Sequence, residues 1–301
     1  MRVRVANHSG FCFGVKRAIK IAEKTLASSK GSKNIYSLGS IIHNPQVVGA
    51  LSKKGLKVIK DIIDARSGTI IISSHGAPIE IVNKIKKKKL ALVDATCPFV
   101  KNAHNIVKDL KSKGYDVIVI GDKKHPEVKA LLSLTGNRGT TPRTKSPILV
   151  RGARKLAFGQ TRNHAEAKNK RIAFVSQTTQ SKDNYLRGIF DILKEDFSEA
   201  RIFNTICSDT AQRQALAKKF LKECDVMMVV GGKDSANTRR LYQICRESGV
   251  DSHHIETEKE IKKKWFFKKR SCGVVSGAST PDEMVKKVTK KISEVATYGT
   301  K

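Results

Sequence analysis

Short apolar runs recur along the chain, and most give way within ten residues to apolar positions at helical spacing. The runs cover residues 70–72, 91–93, 117–120, 172–175, 226–230 and 273–275. They have the length of strands, not helices. Helical spacing appears over residues 126–133 and 237–248, and Gly114 stands where a helix running through Lys108 would end on a left-handed residue. Strands alternating with helices predict an α/β fold with parallel sheets carrying helices on their faces. No Gly/Ser-rich linker and no heptad repeat interrupts this pattern. Residues 133–171, with Pro142, Pro147 and several glycines, read as a long irregular loop.

Three of the six cysteines share one setting. Cys12, Cys97 and Cys207 each follow an apolar, strand-like run and precede a helical stretch. In open α/β folds ligands gather at such carboxyl strand ends, and a helix N-terminus favours a thiolate. Three thiolates brought together from three α/β units would make a metal or iron–sulfur site. Their separations are too wide for a local finger, so the fold must do the gathering. The pattern C-x-x-V-K-x-A occurs at Cys12 and again at Cys97, and Cys207 begins a looser copy, which points to repeated α/β units. The expected division is residues 1–96, 97–203 and 204–301, each of ordinary domain size. Cys224 and Cys245 lie in helical patterns and Cys272 begins a strand, so these read as buried small hydrophobes. Trp265, Phe266 and Phe267 read as a packing cluster.

Other strand ends carry polar residues. These are His43, His75, His125 with Glu127, Thr178 with Thr179, Ser235 with Asn237, and Ser279. Taken one at a time, a histidine is more often a surface residue and Ser, Thr and Asn are ordinary helix caps. Their shared location is what counts. Imidazoles, hydroxyls, an amide and free backbone N–H groups suit an anion such as phosphate. The lone carboxylate, Glu127, becomes a proton donor if burial raises its pKa.

Composition narrows the class. The chain has 301 residues, 39% hydrophobic and 29% charged, and no run of 18 apolar residues, so no membrane span is expected. Cys12 lies too near the start for a removable leader, and six scattered cysteines do not form a secreted disulfide framework; a reducing cytoplasm is expected. The net charge is +32, and residues 133–171 hold ten Lys/Arg against the single acid Glu166. That charge alone would fit a basic zinc- or cluster-containing nucleic-acid binder. However, the aromatic cluster set among basic residues, Trp265, Phe266 and Phe267, reads as packing and not as a stacking platform, and no closely paired zinc ligands are present. No specific nucleic-acid partner is expected. A basic surface would favour acidic protein partners and phosphorylated substrates.

The segments GFCFGVKRAI, HNPQVV, SSHGAP, VDATCPFVKNAH, HPEVKALL, QTTQ, GGKDSANTRRL and SGASTP, in this order, resemble the LytB/IspH family of 4-hydroxy-3-methylbut-2-enyl diphosphate reductases over nearly the whole chain. The resemblance implies three α/β units arranged pseudo-threefold around a central [4Fe–4S] cluster with three cysteine ligands, Cys12, Cys97 and Cys207. It implies His43, His75 and His125 as diphosphate ligands, with Ser235, Asn237, Ser279 and Thr179 beside them. Glu127 falls on the acid that delivers protons, with His125 beside it, and Thr178 on the threonine that orders the substrate hydroxyl. The implied reaction is reductive dehydration to isopentenyl and dimethylallyl diphosphate, the last step of the non-mevalonate isoprenoid pathway. The basic surface, for its part, points to a small acidic ferredoxin or flavodoxin as the electron donor. Two departures stand out: Ala236 occupies a position where some relatives carry serine, and the stretch between HPEV and QTT is long and basic.

Overall fold

In the run at residues 69–72 all four side chains are buried, as are all five of residues 226–230. Strands apolar on both faces must be covered on both faces, and the computed structural model shows how. It describes residues 1–28, 34–136, 149–152, 171–194 and 197–297. The chain begins with β1 (Arg2–Val5), α1 (Phe13–Ser28), β2 (Ile35–Leu38), α2 (Pro45–Lys53), β3 (Leu56–Ile59), β4 (Thr69–Ile72), α3 (Ile79–Lys87) and β5 (Ala91–Asp94). It continues through α4 (Pro98–Ser112), β6 (Asp116–Ile120), α5 (Pro126–Leu134), β7 (Leu149–Gly152), β8 (Arg171–Ser176), α6 (Lys182–Ile192) and β9 (Glu199–Ile202). The last elements are α7 (Ser208–Phe220), β10 (Val226–Val230), α8 (Ala236–Glu247), β11 (Asp251–Ile255), β12 (Ser271–Ser276) and α9 (Asp282–Thr297).

These elements fall into two compact units. The first comprises Met1–Lys16, Ile42–Ala50 and Ser208–Lys301; the second comprises Arg17–Ile41 and Leu51–Cys207. The first unit holds one parallel sheet in the order β1-β12-β10-β11. Alternation along β10 divides its core. Val226, Met228 and Val230 pack with Val285, Val288 and Ile292 of α9, whereas Met227 and Val229 pack with Ala217 of α7 and Leu241 of α8. Cys224, Cys245 and Cys272 lie in these cores. The aromatic trio divides: Phe266 is buried in the first of these cores and Trp265 packs against that core, but Phe267 is exposed and outside it.

The second unit holds two sheets. One is parallel, in the order β3-β2-β4-β5; the other has the order β7-β6-β8-β9, with only β7 antiparallel. Val117 and Val119 of β6 face α4 and α5, and Ile118 and Ile120 face α6. The matched positions of the cysteine repeat are buried in both copies, Val15 with Ala18 and Val100 with Ala103. Gly114 takes φ +80° just past α4, as its place in the sequence predicts.

Two features differ from the reading of the sequence. The strand of residues 2–5 joins β12, not the sheet of residues 35–94, because pairing is decided by a partner 269 residues away, Arg2 against Ser271. The irregular stretch contains β7, whose apolar signal is only Leu149-Val150 between Pro147 and a basic run. Residues 137–148 and 153–170 lie outside the described residues. Among the described residues no helix is long and apolar enough to cross a membrane.

Candidate functional site

Each of the three matched cysteines stands directly before a helix: Cys12 before α1, Cys97 before α4 and Cys207 before α7. All three are half-buried, whereas Cys224, Cys245 and Cys272 are buried. Burial pushes the Cys245 and Cys272 thiols up to about 12. The two groups are therefore separated by chemistry as well as place. The first lies where helix N–H groups stabilise thiolates, and the second where a charge is excluded.

In the second unit the candidates form one contiguous path past the carboxyl ends of β4, β5, β6, β8 and β9. The Cys97 N–H donates to Ser74 O at 3.0 Å, and Arg17 Nη1 donates to Thr96 O at 3.1 Å. His75 comes directly after Ser74, and its ring meets the edge of His125 with centroids 5.2 Å apart at 89°. His125 is the N-cap of α5, and its Nδ1 accepts the Glu127 N–H at 3.3 Å. A neutral His125 accepting at Nδ1 carries its proton on Nε2, which leaves that edge a donor.

Glu127 is 1% exposed. Its carboxylate accepts the Thr178 N–H at 2.6 Å and the Thr178 hydroxyl at 2.9 Å. Burial nonetheless raises its pKa to about 7, against the opposing effect of both Thr178 bonds. The path closes at Thr178 O, which accepts the Cys207 N–H at 2.9 Å.

Two residues that sequence reasoning passed over hold this path in place. Gln177 accepts the Asp122 N–H and donates to Thr179 Oγ1 at 2.8 Å. The Thr205 hydroxyl donates to Ser176 O and accepts the Ser176 N–H, fixing the approach to Cys207. Their signal in the sequence is only that polar residues flank apolar runs, which is equally the mark of a solvated loop.

The first unit assembles the remaining candidates past β1, β10 and β12. The Cys12 N–H donates to Ala278 O at 3.0 Å. The neighbouring Ser279 hydroxyl donates to His43 O at 3.1 Å and lies 3.5 Å from the Ser235 hydroxyl. Ser235 caps α8 by accepting the Thr238 N–H. Asn237 lies in the first turn, 3% exposed, with neither its amide nitrogen nor its oxygen hydrogen-bonded. A buried amide left this way costs about 1–3 kcal/mol per group unless a ligand or water completes it. At Gly232 a Cβ would lie 2.6 Å from His43 O, so only glycine lets the chain pass there. Burial, reinforced by Arg239 and opposed by Asp234, lowers the His43 pKa and keeps the ring neutral at pH 7.

The donor set fits an iron–sulfur cluster by its chemistry: three half-buried thiols at helix starts, with the other three sealed in cores. A family model described as LytB protein matches residues 3–293. The chain belongs to the LytB family. A curated relative from Pelobacter propionicus, named 4-hydroxy-3-methylbut-2-enyl diphosphate reductase, is 43% identical over 295 residues, 98% of this chain and 99% of its own. One of the same name from Aquifex aeolicus is 39% identical over 294 residues, 97% of this chain and 96% of its own. A solved structure of (E)-4-hydroxy-3-methyl-but-2-enyl diphosphate reductase, the terminal enzyme of the non-mevalonate pathway, is similar with TM-score 0.64 and 38% identity, covering 98% of this chain and all of that one. The Plasmodium falciparum E-1-hydroxy-2-methyl-but-2-enyl-4-diphosphate reductase is similar with TM-score 0.81 and 27% identity, covering 96% of this chain and 87% of that one.

Proposed function

We propose that this LytB protein is a 4-hydroxy-3-methylbut-2-enyl diphosphate reductase, removing the allylic hydroxyl as water to give isopentenyl and dimethylallyl diphosphate. The reaction consumes two electrons and two protons, one proton leaving with the hydroxyl and one ending on carbon. The observation that carries the reading is Glu127, a buried carboxyl that holds its proton to about pH 7 while fixed by both the N–H and the O–H of Thr178. Hydroxide is a poor leaving group, and an acid poised near neutral pH is what its departure requires.

In this reading Cys12, Cys97 and Cys207 hold a [4Fe–4S] cluster, which when bound supplies single electrons and a Lewis acid for the leaving oxygen. Glu127 donates, and Thr178 aligns the substrate hydroxyl with it. His125 offers Nε2–H to the diphosphate and His75 stands beside it. Asn237 supplies two amide N–H donors at the start of α8, and Ser235, Ser279, His43 and Thr179 complete the grip. The three-unit organisation proposed from the sequence assigns one cysteine to each unit. Cluster thiolates call for a reducing compartment, hence the cytoplasm, and the basic surface favours an acidic ferredoxin or flavodoxin as donor.

Anaerobic reconstitution and then assay with a reduced viologen tests this. The expected result is a brown protein that consumes the diphosphate and releases both products. A brown protein inert toward the diphosphate would overturn the assignment of substrate, and a colourless one that of the cofactor.

A further inference from the structure

Arg213 lies on α7 and is 3% exposed. A guanidinium has five N–H donors in a fixed fork, and this one makes five hydrogen bonds. Nε donates to Asp209 Oδ2 at 2.7 Å and Nη2 to Asp209 Oδ1 at 3.3 Å. Nη2 also donates to Gly10 O at 2.9 Å. Nη1 donates to Ser276 O at 3.0 Å and to Ser276 Oγ at 3.4 Å. The Ser276 hydroxyl in turn accepts the Gly10 N–H at 3.0 Å, and His8 Nε2 lies 2.9 Å from Asp209 Oδ1.

One side chain thus joins α7, the end of β12 and the loop between β1 and α1. Gly10 is two residues before Cys12 and takes φ +83°, and a Cβ there would overlap the Asp282 carboxylate. Ser276 is three residues before Ser279. Nothing in the chemistry proposed above uses Arg213 or Asp209. A part-buried, fully bonded ion pair is a poor source of net stability compared with apolar packing of the same volume. Its particular capacity is to hold several backbone segments in one geometry.

We infer that Arg213, held by Asp209, is a positioning residue for the cluster ligand Cys12: it fixes the Gly10 carbonyl and the Ser276 hydroxyl, and so the path of the loop that presents the thiolate. This rests on the cluster-binding reading given above. Lysine cannot replace it, because one ammonium cannot span a carboxylate and two separate carbonyls. Outer groups that orient a ligand typically change metal affinity about 10- to 100-fold when removed.

The test uses the reconstituted full chain, with the wild type, Arg213→Lys, Ser276→Ala and a control, Val274→Ala, which opens a cavity in the core of the same unit. Under anaerobic conditions the half-life of the brown chromophore against a chelator is measured, with the electron paramagnetic resonance spectrum of the reduced protein and the melting temperature of each. Arg213→Lys is expected to shorten the half-life about 10-fold or more and to alter the resonance spectrum. Ser276→Ala should move both less in the same direction, while Val274→Ala lowers the melting temperature and leaves both unchanged. Retention and spectrum like wild type in Arg213→Lys overturn the inference. So does loss that tracks melting temperature alike in all variants, which would make the pair merely structural. If Arg213→Lys does not fold, Ser276→Ala decides by the same readouts. A wild-type chain that takes up no cluster removes the functional reading, and this inference with it.

Discussion

In the unit that contains Ser208–Lys301 the candidate groups are neutral hydrogen-bonders: two serine hydroxyls, the unpaired Asn237 amide and a histidine whose pKa burial lowers. In the unit of Leu51–Cys207 they include a carboxyl poised near pH 7 and two imidazoles in ring contact. Both sets stand beyond the carboxyl ends of parallel strands, and both are pinned by backbone hydrogen bonds next to a cysteine. The difference teaches what the shared scaffold leaves open. Helix N-termini offer the same field for an anion in either unit. In the proposed reading, whether a set grips charge or moves a proton is decided by the side chain buried beside them: an amide left unpaired in one, an acid stripped of water in the other.

The largest effect tests what the two sets have in common. Cys12→Ser, Cys97→Ser and Cys207→Ser should each abolish the brown colour and turnover, while Cys245→Ser, in a sealed core, should keep the colour. Iron analysis and visible absorption after anaerobic reconstitution check this. A coloured, active Cys12→Ser protein would remove that residue from the ligand set.

Glu127→Gln sharpens the contrast next. Turnover should fall about 100- to 10,000-fold with the cluster and diphosphate affinity retained, since the amide keeps the shape and loses the proton. In the wild type, turnover should decline as pH rises through about 7. Stability carries the same signature. The folded pKa lies above the ordinary 4.5, so the native state binds the proton more tightly. The wild type should therefore lose stability relative to Glu127→Gln as pH rises from about 4.5 to about 7, by roughly 3 kcal/mol at about 1.4 kcal/mol per unit. Parallel melting curves across that window measure it, and a pH-independent difference would mean Glu127 titrates like an exposed acid.

Asn237→Leu probes the other set. It should raise KM about 10- to 100-fold with kcat nearly unchanged, on the loss of about 1.5–3 kcal/mol of bonding to a charged ligand. It should also raise the melting temperature of the substrate-free protein, because a buried, unpaired amide becomes apolar. A lowered melting temperature would show that the amide is satisfied in solution. The smallest effect belongs to neither set. With a protein electron donor the rate should fall severalfold from low to physiological salt as screening shortens the reach of the +32 charge. A small neutral reductant should show little change, and an equal fall with both would place the salt effect at the site.

Much of this was open to reading in the chain itself. Residues 70–72 and 226–230 could only be buried strands, since their apolar side chains occupy both faces of an extended backbone. Cys12, Cys97 and Cys207 could be separated from Cys224, Cys245 and Cys272 because each of the first three lies between a strand-like run and a helical stretch. The edge strand β11 was not legible. Its sequence, DSHHI, is largely polar because an edge need not be apolar on both faces. Thr205, Gln177 and Arg213 were missed for a related reason: a polar residue near a strand end looks the same whether water or a carbonyl satisfies it.

The sequence by itself determined the order of strands and helices and the stationing of its chemistry just beyond strand ends, because periodicity and capping act within a few residues. The tertiary structure decided that residues 2–5 pair with residues 271–274, that five bonds close around Arg213, and that Glu127 keeps a proton to about pH 7. Strand partners, satisfied donors and local dielectric all depend on groups far away in the chain. A pattern of neighbours records that a residue is polar; only the packed surroundings determine whether it is buried, paired or charged.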